Sequence, residues 1–198
     1  MQHPLKIFSF CFLFFCNLFG FQILYADKIL DSQRLVASLY NDLVTTSVKE
    51  MSTDEQKKEL EKLFQKYVDV PIIARAVLGK SWREANTNQR EKFVQAFKYY
   101  VSNKYGRQFS EFKGTTLEII KSRDTFTKAG VLVSTVVVVP DKPALKVVWQ
   151  VSDGSGSLKL IDLRVEGISM LSTERQEFRS RLKKSNGSLN DLILEISR

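Results

Sequence analysis

The apolar positions divide the chain into a helical first half, a stranded middle and a helical end. Across residues 28–48, apolar side chains recur at Ile29, Val36, Leu39, Tyr40, Leu43 and Val44, the spacing of one helical face. Ser52 or Thr53 caps a second helix, with Glu55 and Gln56 placed for a capping box and Leu60, Leu63, Phe64 and Tyr67 on one stripe. Pro71 suits the first turn of a short helix that carries Ile72, Ile73 and Val77 and stops at Gly79. Thr87 is placed to cap a long helix. Its stripe runs through Phe93, Ala96, Phe97, Tyr100, Val101, Tyr105, Phe109 and Phe112 to a stop at Gly114.

Past Gly114 the period falls to two, and residues 116–122, 131–139, 145–152 and 158–165 read as four strands. The connections Pro140-Asp141-Lys142-Pro143 and Asp153-Gly154-Ser155-Gly156 are turns short enough to favour antiparallel pairing. In the third strand Leu145, Val147, Trp149 and Val151 share a face. In the fourth, Ile161, Leu163 and Val165 oppose Leu160, Asp162 and Arg164. One face of this sheet is strongly apolar and needs a cover, which the preceding helices provide in an α+β layer. A helix over 173–184 and another from Ser188 close the chain.

The first 26 residues follow a different pattern. Lys6 is the only strongly charged side chain before Asp27, and 7–16 are apolar or aromatic apart from Ser9. A basic start, a short apolar core and a small residue at Ala26 make a secretory signal peptide, leaving one domain over 27–198. Asn17, Gly20 and Gln22 break the apolar run before it reaches the ~20 residues of a membrane span, although an uncleaved anchor helix is the alternative. Both cysteines, Cys11 and Cys16, and the single histidine, His3, lie in this leader. The exported domain therefore has no cysteine nucleophile, histidine base, disulfide or Cys/His zinc site, and its stability rests on a packed core. The net charge is +8, and loss of Lys6 lowers it by one. For an exported domain this balance points to phosphate headgroups or acidic protein surfaces rather than nucleic acid.

Candidate catalytic groups are sparse. Ser180 and Lys183 have a Ser-x-x-Lys spacing but lie among Arg179, Arg181 and Lys184 on what reads as a solvated face. Asp162 and Glu166 are the carboxylates that would serve an acid–base enzyme. Gly154-Ser155-Gly156 connects strands and does not open a helix, so it is not a phosphate loop. Asn186-Gly187-Ser188 is formally a glycosylation sequon.

Two blocks carry a family resemblance. The first runs Val70-Pro71-Ile72-Ile73-Ala74-Arg75-Ala76-Val77-Leu78-Gly79-Lys80-Ser81-Trp82-Arg83 and on through Thr87-Asn88-Gln89-Arg90-Glu91-Lys92-Phe93. The second joins Val147-Val148-Trp149 to Asp162-Leu163-Arg164-Val165-Glu166-Gly167-Ile168-Ser169, with Arg175 and Phe178 following. Together they resemble the MlaC family of periplasmic phospholipid-binding proteins, also known as toluene-tolerance auxiliary proteins. Two departures stand out: Leu158 replaces the family's usual aromatic before Lys159, and Thr173-Glu174-Arg175 replaces Asn-Tyr-Arg.

The resemblance implies an α+β fold in which N-terminal helices on a four-stranded antiparallel curved sheet, with C-terminal helices, enclose an apolar cavity for lipid tails. The positions that would line it are Ile73, Leu78, Trp82, Phe93, Phe97, Tyr100, Val133, Val147, Trp149, Val151, Leu163 and Val165. It implies a periplasmic shuttle between an outer-membrane lipoprotein complex and an inner-membrane ABC transporter with an MCE-domain subunit. No catalytic residue, metal or cofactor is expected, the bound phospholipid being cargo. Exposing a methylene to water costs about 0.8 kcal/mol, so two tails of about 15 methylenes would cost about 24 kcal/mol unless enclosed. A carrier of another hydrophobe such as a hopanoid or quinone, an enzyme using Asp162 or Glu166, and a protein-binding adaptor with a filled core are the alternatives.

Overall fold

The computed structural model describes the backbone of residues 8–106 and 108–198 and the side chains of 27–106, 108 and 110–198. The expected leader falls outside the described side chains; its described backbone, from Phe8 on, is continuous with the first helix. Among the described residues no helix is long and apolar enough to cross a membrane.

The elements follow the expected order: α1 (Phe8–Ser47), α2 (Thr53–Tyr67), α3 (Val70–Leu78), α4 (Lys80–Glu84), α5 (Thr87–Gly106), a 3₁₀ turn (Phe109–Phe112), β1 (Thr116–Asp124), β2 (Val131–Val138), β3 (Leu145–Ser152), β4 (Lys159–Val165), β5 (Ile168–Ser169), α6 (Met170–Lys184) and α7 (Leu189–Ile196). The strands form one antiparallel sheet in the order β1-β2-β3-β4-β5, curved and unclosed. The fold is therefore α+β, as the pattern indicates, with a fifth strand. At two residues β5 is too short to show any alternation. It turns back from β4 through Glu166 (φ 48°) and Gly167 (φ 83°), the left-handed pair that a two-residue hairpin demands.

Local details differ from the sequence reading where polar side chains decide the ends. Ser52 caps α2 with Glu55 closing the box. The cap of α5 is Asn86 rather than Thr87: Gln89 N–H donates to Asn86 Oδ1 at 2.9 Å, and Asn86 N–H donates to Gln89 Oε1 at 3.1 Å. That helix stops at Gly106, so the 109–112 aromatics belong to the 3₁₀ turn and not to its stripe. Helix α6 starts at Met170, capped by Ser169.

Two bulges bend the sheet. Ile119 pairs with Thr135 and Lys121 with Ser134, which leaves Ile120 unpaired and 53% exposed. Gln150 pairs with Asp162 and Val151 with Leu160, which leaves Ile161 as the extra residue. The second bulge overturns the expected phase of β4, because Leu160, not Ile161, joins Leu163 and Val165 on the inner face. Counting by twos cannot detect an inserted residue.

Candidate functional site

The inner face of the sheet is the candidate site. Val131, Val133 and Val137 of β2, Val147, Trp149 and Val151 of β3, and Leu160 of β4 are buried there, with Leu117, Ile119, Leu163 and Val165 partly buried beside them. The facing helices contribute Val36, Leu39, Tyr40 and Leu43 from α1 and Leu60, Leu63 and Tyr67 from α2. Strand alternation puts the strand residues on one side, and the α1 and α2 stripes close over them.

A second core sits apart, between α3, α5, α6 and α7. Phe93, Phe97, Tyr100 and Phe178 form an aromatic knot there. Phe178 meets their rings edge-on at 5.6, 5.4 and 5.2 Å between centroids. The twelve expected lining residues are therefore not brought together. Val133, Val147, Trp149, Val151, Leu163 and Val165 belong to the sheet face, while Ile73, Leu78, Trp82, Phe93, Phe97 and Tyr100 belong to the helical core. Phe64, Val68 and Tyr105 pack against both and mark the seam between them.

The polar groups on the sheet face are internally matched. Trp149 Nε1–H donates to the Thr135 hydroxyl, and the Tyr40 hydroxyl donates to Thr115 Oγ1 at 2.5 Å. Burial pushes the Tyr40 phenol up, with the Thr115 bond opposing, so it stays neutral.

The two carboxylates considered for catalysis have structural partners. Asp162, 6% exposed, accepts from the backbone N–H groups of Leu163 and Leu171 at 2.9 and 3.0 Å, from Ser169 Oγ at 2.8 Å and from Arg164 Nε at 3.4 Å. It ties the start of α6 to β4. Glu166 is exposed, not buried, and accepts from Lys146 N–H at 2.5 Å. Arg179, Ser180 and Lys184 are exposed on α6, and the 186–188 sequon lies in the α6–α7 turn.

The motif blocks build joints. Arg90 donates to the Trp82 and Arg83 carbonyls at 2.9 and 3.3 Å and lies over the Trp82 ring, fixing α4 against α5. At Gly79 the φ of 57° suits glycine and accounts for the Leu-Gly stop, which lies beside the Arg175 side chain of α6. Sequence reasoning missed the lining residues from α1 and α2, and it marked Glu174 only as part of a departure from the family's Asn-Tyr-Arg, without its partners. A signal existed for its burial: Glu174 falls on the α6 stripe of Leu171, Phe178 and Leu182.

This architecture has a solved counterpart. It resembles the phospholipid-binding protein from Ralstonia solanacearum, solved in complex with a phospholipid, with a TM-score of 0.73 at 15% identity over 83% of this chain and 94% of that one. Residues 33–198 match the family model described as MlaC protein, and the chain belongs to that family.

Proposed function

We propose that this chain is an exported phospholipid carrier that holds acyl tails against the inner face of its sheet. The observation that carries the reading is that face: an apolar wall around Val133, Val147 and Trp149 on an unclosed sheet, covered by α1 and α2. Family membership and the phospholipid complex of the Ralstonia protein support it. The leader 1–26 is removed, the mature protein begins at Asp27, and it works in the periplasm. There it passes lipid between an outer-membrane lipoprotein complex and the MCE-domain subunit of an inner-membrane ABC transporter, preserving outer-membrane lipid asymmetry. Transport needs an enclosing surface and no catalyst, and the partners of Asp162 and Glu166 favour that over an enzyme.

Protein purified without added lipid is expected to show phospholipid masses by native mass spectrometry and in an organic extract. An apo mass with an empty extract overturns the carrier, and a hopanoid or quinone in the extract overturns the phospholipid. Sequencing the mature amino terminus tests export; residues before Ala26 in a membrane-bound product would establish an anchor instead.

A further inference from the structure

The hairpin between β1 and β2 carries an aromatic ring into solvent. Phe126 is 76% exposed, the most exposed of the large apolar side chains among the described residues. Its φ is 54°, in the left-handed region that a bulky side chain avoids. The loop around it is firmly held. Phe126 N–H donates to Asp124 Oδ1 at 2.7 Å, Gly130 N–H to the Thr127 carbonyl at 3.0 Å, and Ala129 N–H to Thr127 Oγ1 at 3.1 Å. Strand β3 braces it from the side: Gln150 Nε2 donates to the Ala129 carbonyl and Ser152 Oγ to the Lys128 carbonyl, both at 3.0 Å. A strained backbone that these bonds hold in place is a rigid mount, and what it presents is the ring.

The charged residues beside the ring are mostly cationic. Lys121 and Arg123 are exposed on the strand that leads into the loop, and Lys128 is exposed within it. None of the three has an ion-pair partner among the described residues. The nearby carboxylates are already engaged. Asp124 is buried and holds Phe126 N–H, and Asp153 on the β3–β4 turn pairs with Lys28 at 3.0 Å.

A lone ring collared by cations selects its counterpart. A protein interface of ordinary size buries about 800 Å² on each partner around an apolar centre of several side chains. The loop offers one such side chain. The headgroup layer of a bilayer needs no wider patch, because a single ring can wedge among the headgroups while lysine and arginine meet the phosphates. We propose that the 124–130 hairpin is a docking tip for an anionic bilayer surface, with Phe126 entering the headgroup layer and Lys121, Arg123 and Lys128 drawn to lipid phosphates. The tip governs where the protein lands and leaves the cargo face untouched, so adhesion and carriage are separate properties.

The test is flotation. The processed protein is mixed with vesicles of choline-headed lipid, with or without an anionic glycerol-headed lipid, and the vesicle-bound fraction is measured. Binding should require the anionic lipid and fall as salt rises. Phe126→Gly, which suits the φ, should melt no lower than the unaltered protein and bind about tenfold less. Lys128→Glu should bind about fivefold less or weaker still, since each cation near the surface contributes about that factor. Phe126→Trp should keep the binding, and its emission should shift to the blue when anionic vesicles are added. No binding to anionic vesicles, no emission shift, or equal binding by Phe126→Gly overturns the tip. Binding that persists in Phe126→Gly and is lost in Arg179→Glu places adhesion on α6 and also overturns it. Vesicles left unbound while a photo-crosslinker at position 126 captures a protein overturn the bilayer as partner and put a protein in its place. The lipid load of Phe126→Gly, read by mass spectrometry of an organic extract, should equal that of the unaltered protein; a lost load makes the loop part of the cargo site and overturns the tip. Unaltered protein that is empty of lipid yet floats with anionic vesicles supports the tip and overturns the carrier alone.

Discussion

Trp149 and Thr135 are joined across β2 and β3. The indole Nε1–H donates to the Thr135 hydroxyl at 3.0 Å, and that hydroxyl donates to the Val147 carbonyl at 3.1 Å. Two polar groups therefore sit inside an apolar wall with their bonds made. Thr135→Val keeps the volume but strands the indole N–H. It should cost about 1–3 kcal/mol, read as a lower urea midpoint, with a shifted tryptophan emission.

Sheet face and helical knot should respond differently to substitution. Val147 lies one inner-face step from Leu145, which is exposed, so a carboxylate there can reach water. Val147→Glu should fold, with a cooperative melt, and lose its lipid. A folded variant with a full lipid load would show that this face does not touch lipid, and an unfolded one would make it dry core.

Phe97→Ala removes a ring from the aromatic knot. It should cost about 3–5 kcal/mol in denaturant unfolding, while the protein that remains folded still loads lipid. Loss of lipid in fully folded Phe97→Ala protein would place the knot in the binding surface.

Asp42 gives stability a pH dependence. Its carboxyl is held below its ordinary value by the Tyr67 hydroxyl and then by Lys66. A depressed folded pKa means that this stabilisation is present above the unfolded value of 3.8 and is lost as pH falls from there through the folded value. Asp42→Asn should melt lower than the unaltered protein at pH 7, with the gap closing in strong acid. A gap independent of pH would contradict the assignment.

Gly130 tolerates no side chain. Its φ is 74°, and a Cβ would fall 2.0 Å from the Val151 carbonyl oxygen, a backbone atom that cannot swing aside. Gly130→Ala should destabilise by about 3 kcal/mol or more, measured by thermal melting.

The sequence reading was sound where one periodicity governed a whole element. The α1 and α2 stripes, the bounds of β3 and the start of the last helix at Ser188 agree with the structure, and of the two caps offered for α2 it is Ser52 that serves. It failed where a single inserted residue changed the phase, as at Ile161, and where a side chain chose the helix start, as at Asn86. For the candidate site, alternation was enough to place Val147 and Trp149 together. It could not separate them from Phe93 and Phe97, because an apolar stripe states that a residue is buried and not which neighbours it meets. Glu174 was visible only as a departure from the family's Asn-Tyr-Arg, because its partners Lys104 and Tyr105 lie some seventy positions earlier.

The bulge at Ile120 has an effect on the outside of the molecule as well. Strand β1 is the free border of an open sheet, nine residues of backbone that another chain could extend by pairing. The inserted residue breaks the straight run of hydrogen-bonding groups midway, and Glu118, Lys121 and Arg123 stand exposed around the break. A second copy trying to add its own strand there would meet a kinked template and repeated charge. The device that curves the wall therefore also makes the free border a poor template for a second strand.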